Sequence, residues 1–362
     1  MKLRDKNLYY IGGVVRDEIL GKKSFDVDLT YVGNAIEFAK TLEDVEILRV
    51  NEPFGTVKVK IDNQEIDIAS TRKEIYPQKG HLPKVEKIAC SLKDDVLRRD
   101  FTINALAKNT LTGEIEDFTG GLEDIKNKKL RVLHDESFID DPTRIVRGLK
   151  FAVRFGFDLD NHTKKLQDEY LLNINYDMSL KRLQKELKET FDLNSQLAFE
   201  KFVNQKIYKL VTDKNFDLPK INFENLINKY NPKNIWIIYA GLIPDIDKLP
   251  LNKTEQKIVN DFKTLKSKTF HSDIEIFKTM SQVNLETIIM YFSINKKVSL
   301  RYLDYLKDVK LQICGNDLLN LGYSSGEKFQ KCFDYVLNKK IKNSKLSKSD
   351  ELLFAKEFFT KY

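Results

Sequence analysis

Between Leu8 and Thr30 an apolar run, a glycine pair, a helical pattern and a second apolar run follow one another, an order that leaves few folds open. Leu8, Tyr9, Tyr10 and Ile11 read as a strand, Gly12 and Gly13 as a turn, and Val14, Val15, Ile19 and Leu20 as one helix face. The next strand carries Phe25-Asp26-Val27-Asp28-Leu29-Thr30. Because a strand alternates its side chains, Asp26 and Asp28 project from one face while Val27 points into the core. Two anions that close repel unless a cation sits between them, and magnesium held by carboxylates and substrate phosphates meets that need. The strand, glycine pair and helix bring backbone N–H groups and a helix N-terminus towards a phosphate. Taken singly, the glycines are an ordinary turn and the aspartates a solvated face. In this order and spacing they imply a metal-dependent nucleotidyl-transfer site.

A chain of 362 residues is too long for one small core and implies two or more domains. Its hydrophobic fraction of 41% suits a soluble globular protein, and no stretch approaches the roughly 18–20 apolar residues of a membrane span. The opening Met-Lys-Leu-Arg-Asp-Lys leads into the first strand without the apolar segment of a signal peptide. Cys90, Cys314 and Cys332 are odd in number and lack metal-ligand spacing, so the expected compartment is reducing and cytoplasmic. The net charge of +7 favours a polyanionic partner, although general lysine richness accounts for it as well.

The first third reads as mixed α/β. Strands are expected at Leu8–Ile11, Phe25–Val32, Val45–Val50, Thr56–Ile61 and Glu65–Ala69, with helices over Val14–Leu20 and Asn34–Leu42. Near Thr110–Phe118 a Thr-Gly turn joins two more short strands, and Tyr76–Lys84, with Pro77, Gly80 and Pro83, is a loop by composition. After about Asp140 helical periodicity dominates: Pro142–Phe155, Asn161–Leu172, Ser179–Phe191, Ser195–Val211 and further helices to Tyr362, with hinges near 192–194 and 231–233. The fold class is therefore α+β, a small mixed sheet with flanking helices followed by an all-α region.

Three further clusters carry chemistry. Glu65 and Asp67 share one face of their strand; either is a candidate third carboxylate beside Asp26 and Asp28, and both equally suit the wet face of an edge strand. The run Leu97-Arg98-Arg99-Asp100-Phe101-Thr102-Ile103-Asn104-Ala105-Leu106-Ala107 sets two cations, a carboxylate and an amide before an apolar segment; a charged helix start capped by Asp100 is the plain alternative. In Asp140-Asp141-Pro142-Thr143-Arg144-Ile145-Val146-Arg147-Gly148-Leu149-Lys150-Phe151, Pro142 suits the first helical position and Asp141 the N-cap. Arg144, Arg147 and Lys150 then recur every third residue, a cationic stripe suited to phosphates or base edges.

In this order the clusters resemble the class II tRNA nucleotidyltransferase/poly(A) polymerase family of the polymerase-β-like superfamily. Its GGxVRD…DxD pattern matches Gly12–Asp17 with Asp26 and Asp28, and its RRDFTINA matches Arg98–Ala105. Its central element is similar to Asp117-Phe118-Thr119-Gly120-Gly121-Leu122-Glu123-Asp124-Ile125…Leu130-Arg131, its EDxxRxxRxxRF to Asp140–Phe151, its flexible loop to Arg72–Gly80, and its tail signature to Ile313–Leu319 with Gly322 and Gly326. Asp140 stands where the family has Glu, and Lys150 where it has an arginine with a planar fork.

The resemblance implies a polymerase-β-like head over residues 1–139, a helical neck with the base-reading site over 140–211, and a helical, tRNA-binding body and tail over 212–362. It implies template-independent, CCA-adding extension of the tRNA 3′ end with CTP and ATP. Asp26 and Asp28 would hold Mg2+, with Asp67 as a further catalytic candidate. Gly12, Gly13, Arg16, Asp17, Arg99, Asp100 and Asn104 would serve the nucleotide, and Asp141, Arg144, Arg147 and Lys150 the base. Cytosine and adenine each offer an exocyclic amine beside a bare ring nitrogen, which a carboxylate and a guanidinium complement. Uracil and guanine present a carbonyl and a ring N–H there, leaving both groups unpaired.

The same motifs serve A-adding and CC-adding enzymes and poly(A) polymerases. The Arg72–Gly80 loop speaks against a CC-only enzyme, and the lack of a long basic extension against a poly(A) polymerase. From other classes, an inactive tRNA-binding protein fits poorly with intact aspartates. A small-molecule adenylyltransferase leaves the long helical region without a purpose.

Overall fold

The computed structural model describes residues 3–24, 27–61, 63–174 and 177–361, which form two compact units. One holds the chain up to Phe216 with Lys248–Pro250; the other holds Asp217–Asp247 and the chain from Leu251. Among the described residues, no helix is long and apolar enough to cross a membrane.

The first unit begins with β1 (Leu8–Ile11), α1 (Gly13–Ile19), β2 (Asp28–Tyr31), α2 (Ala35–Lys40), β3 (Glu46–Asn51), β4 (Thr56–Ile61) and β5 (Gln64–Ser70). A separate hairpin, β6 (Arg72–Ile75) with β7 (Lys84–Ile88), precedes α3 (Leu92–Leu97), β8 (Leu106–Asn109), β9 (Ile115–Asp117) and α4 (Gly121–Lys126). The main sheet runs β3-β4-β5-β2-β1-β8-β9. It is antiparallel except at β2–β5, where Asp28 faces Asp67 in parallel register. The sequence placed these strands because their alternation is complete: Val57, Val59, Ile66 and Ile68 are buried under α2, together with Leu29, Ile36 and Ala39. Lys58, Glu65 and Asp67 therefore stand on the opposite face.

Phe25 and Asp26 lie outside the described residues, so the paired-aspartate expectation reaches the structure through Asp28 alone. Val27 packs against the core, as alternation requires. The 76–83 segment is a loop, as its composition indicates, but it is held at the tip of a hairpin that sequence reading left unassigned. The polar, alternating Arg72–Ile75 and Lys84–Ile88 bury no apolar face strong enough to signal a strand.

Beyond β9 come α5 (Ser137–Asp140), α6 (Thr143–Phe155), α7 (Asn161–Leu172), α8 (Leu180–Phe191) and α9 (Ser195–Asn204). The helix expected over Ser195–Val211 breaks where Lys206 adopts φ +58°, and a short 3-10 turn continues from Ile207. The helix begins one residue later than expected, with Pro142 at the N-cap and Asp141 just before it, but the Asp141 Oδ1 still accepts from the Thr143 amide at 3.1 Å.

The second unit is helical from Glu224–Tyr230 to Lys348–Lys361. Asn231, at φ +49°, ends the first of these helices at one expected hinge. In the tail signature, the Asp317 carboxylate accepts from the Cys314 amide at 2.7 Å and pairs with Lys348, which gives that aspartate a capping role.

Candidate active site

Gly12 ends β1 at φ +72°, and a Cβ there would lie 2.8 Å from Arg99 Nη1. Only a residue without a side chain lets the Arg99 guanidinium lie over this turn. Arg99 is bonded weakly to Asp95, at 3.4 Å, and its buried Nε has no partner. Burial disfavours its charge. A cation so poorly satisfied, beside a backbone turn at a helix start, suits an anionic ligand.

Arg16, in α1, donates to Asp17 Oδ1 at 2.9 and 2.7 Å and to Asn104 Oδ1, and its guanidinium lies 4.6 Å from the Phe155 ring centre. Arg154 closes on Asp17 from α6 at 2.8 Å. Asn104 donates at 2.9 Å to Asp100 Oδ1, and Asp100 Oδ2 accepts from Arg147 at 2.8 Å. One polar chain thus joins the helix after the glycine pair to the two arginine-bearing clusters: Arg154, Asp17, Arg16, Asn104, Asp100, Arg147. Burial opposes ionisation of Asp100, yet Arg147 and the Asn104 amide outweigh it and hold the carboxyl well below the usual range. Rather than opening a helix, Arg98 and Arg99 follow the end of α3. The turn after them is braced by the Asp117 segment. Asp117 accepts four backbone N–H bonds, from Thr119 to Leu122, and Asp124 accepts from Thr102 at 2.7 Å.

At the other end, Asp141 and Arg144 are 5% and 3% exposed. Arg144 donates to Ser137 Oγ at 2.6 Å, and to the Tyr76 hydroxyl and the Arg98 carbonyl, each at 3.1 Å. Asp141 accepts from the Thr143 hydroxyl at 2.6 Å and, on its other oxygen, from Arg182. The cationic stripe on α6 is real but not bare. Glu186 on α8 meets Arg147 at 3.4 Å and Lys150 at 2.7 Å, and Glu189 meets Lys150 at 2.8 Å.

These groups line one cavity of about 540 Å³, whose wall includes Gly12, Gly13, Arg16, Asp28, Arg99, Asp100, Asn104, Asp141, Arg144, Arg147 and Lys150. Asp17 is buried behind Arg16. Asp67 neighbours Asp28 by register but lies outside that wall, its carboxylate 3.2 Å from Lys58. Asp28 is exposed at the cavity, and its carboxylate is a hard oxygen donor of the kind a divalent cation takes.

Arg98, one of the two cations of its sequence cluster, also lies in the cavity wall, whereas Glu74, Arg154, Arg182 and Glu186, in the same wall, were not among the expected site residues. Arg154 continues the α6 stripe by one turn and was readable there. Arg182 and Glu186 sit one turn apart on α8, where alternating charge reads as a solvated face until α6 packs against it.

Comparison with known proteins bears on the family. Residues 8–131 match the poly A polymerase head domain. An A-adding tRNA nucleotidyltransferase of Aquifex aeolicus is 48% identical over a segment covering 44% of this chain and 20% of that protein. The chain therefore spans about a fifth of that relative's length. A solved CCA-adding enzyme in an apo form shares the fold at 24% identity, with a TM-score of 0.79 over 98% of this chain and 92% of that one. An A-adding tRNA nucleotidyltransferase of Halalkalibacterium halodurans is 31% identical over 99% of this chain and 90% of its own. With a relative 31% identical over nearly the whole of both chains, and the head-domain match over residues 8–131, the chain belongs to the tRNA nucleotidyltransferase/poly(A) polymerase family.

Proposed function

We propose that this protein is a CCA-adding tRNA nucleotidyltransferase that extends the tRNA 3′ end with CTP and ATP. The observation that carries the reading is the single cavity in which Asp28, the Gly12–Gly13 turn and Arg99 share a wall with Asp141 and Arg144. A triphosphate held at the glycine turn would be neutralised by Arg16 and Arg99, and its base would reach α6. The 3′-hydroxyl oxygen of the tRNA would bond to the α-phosphorus, the bond to the bridging oxygen would break, and pyrophosphate would leave with the proton passing to solvent. Mg2+ held by Asp26 and Asp28 would lower the pKa of that hydroxyl and stabilise the departing pyrophosphate.

Asp141 and Arg144 would read the base. The Tyr76 hydroxyl takes one Arg144 donor, a place that a cytosine or adenine ring nitrogen would take in turn. The helical second unit would bind tRNA through phosphates and shape.

A-adding activity alone is the second reading, favoured by the name of the Halalkalibacterium halodurans relative that matches nearly end to end. Purified protein given magnesium, labelled CTP or ATP, and tRNA transcripts ending at the discriminator base, at C or at CC separates the two. CMP incorporation into the shortest transcript followed by AMP supports CCA addition. AMP entering the CC-ended transcript alone establishes A addition, and long A-tails on unrelated RNA would make it a poly(A) polymerase.

A further inference from the structure

Asp141 is held from two sides. One oxygen accepts the Thr143 amide and hydroxyl, at 3.1 and 2.6 Å, which are bonds of its own helix start. The other accepts from Arg182, which comes from α8 and belongs to none of the sequence clusters. The same Arg182 nitrogen approaches the Thr143 hydroxyl at 3.4 Å, and its second nitrogen approaches the carbonyl of His81 in the β6–β7 loop at 3.4 Å. Arg182 lines the cavity and keeps about a quarter of its side chain exposed, at 27%.

We propose that Arg182 is a specificity-determining positioning residue that fixes the Asp141 carboxylate as an acceptor for the incoming base. This rests on the reading of Asp141 and Arg144 as the base-reading pair. With one oxygen tied to the helix start and the other to a guanidinium, the plane of the carboxylate is set. An oxygen that accepts from Arg182 carries no proton towards the cavity, so Asp141 presents lone pairs only. Lone pairs suit the exocyclic amines of cytosine and adenine and repel the carbonyls of uracil and guanine. Without Arg182 one carboxylate oxygen loses its anchor, and its lone pairs no longer meet the base edge in one fixed direction. The contact to His81 ties the same arginine to the loop that brings Tyr76 to Arg144, so both halves of the base reader share one support.

The test measures kcat and KM for ATP, GTP, CTP and UTP on tRNA transcripts with Asp141→Asn, Arg182→Gln, Arg182→Lys and the Asp141→Asn/Arg182→Gln pair. Thermal unfolding and tRNA binding serve as checks of the fold. Arg182→Gln is expected to cut discrimination against GTP and UTP by roughly tenfold or more, with Arg182→Lys between it and the parent. The double variant should discriminate no worse than Asp141→Asn. If Asp141→Asn leaves discrimination intact, the base-reading account falls and this proposal with it. If Asp141→Asn loses discrimination while Arg182→Gln lowers all four nucleotides by one factor, Arg182 is a structural residue and the proposal is overturned. Additive losses in the double variant overturn it as well. Should Arg182→Gln not fold, Arg182→Lys decides alone: a fall in discrimination supports the proposal, and an unchanged ratio overturns it.

Discussion

Nε and Nη2 of Arg147 converge on one carboxylate oxygen of Asp100, at 2.8 and 2.5 Å, and this pair fastens the arginine-rich turn after α3 to the cationic face of α6. It joins two sequence clusters forty-seven residues apart. Asp100 is 7% exposed, while the Arg147 side chain keeps 34% of its surface.

The acid limb of stability should therefore depend on Asp100. Its carboxyl is held below its ordinary value, so the pair stabilises the fold above the unfolded-state pKa of about 4 and is lost as pH falls towards the folded value. Asp100→Asn should cost about 2 kcal/mol at neutral pH, less than the removal of one partner of a fully buried pair, because Arg147 is partly solvated. Urea unfolding as a function of pH checks this: below about pH 4 the parent should lose stability more steeply than the variant. Parallel curves would contradict it.

Gly121 is fixed by crowding. A Cβ there would come within 2.3 Å of the Thr102 carbonyl oxygen, a backbone atom that cannot swing aside as a side chain can. Gly121→Ala should lower stability by about 1–3 kcal/mol and reduce kcat, because the displaced turn carries Asn104. Thermal unfolding with steady-state kinetics measures both. An unchanged melting midpoint would mean the turn yields without strain.

Asp67 and Glu65 both contact Lys58, but only Asp67 is in register with Asp28. Glu65 sits two residues further along the strand, roughly 6–7 Å away. Asp67→Asn should lower kcat by about a hundredfold or more, while Glu65→Gln should remain near the parent. Equal activity in both variants would leave Asp67 as the partner of Lys58 alone.

What was legible in the sequence divides by range. Gly12, Asp28 and the β4–β5 alternation were readable because local spacing dictates which face each side chain takes. The helix start beside Asp141 followed from Pro142. Glu186, Glu189 and Arg182 were not readable, since their partners on α6 are set by how two helices pack and not by either helix alone. Tyr76 was inside a segment read as loop, and nothing in that loop's composition says that its hydroxyl reaches Arg144. Strand spacing alone left Glu65 and Asp67 open as the third carboxylate, with Asp67 taken as the candidate; the parallel register with β2 sets Asp67 beside Asp28.

In the proposed reading one cavity, walled by Asp28, performs the transfer of both nucleotides. Single-turnover extension of tRNA by Asp28→Ala, with magnesium and either CTP or ATP, tests it most directly. CMP and AMP incorporation should be lost together while tRNA binding persists. Retained incorporation of either nucleotide would contradict it.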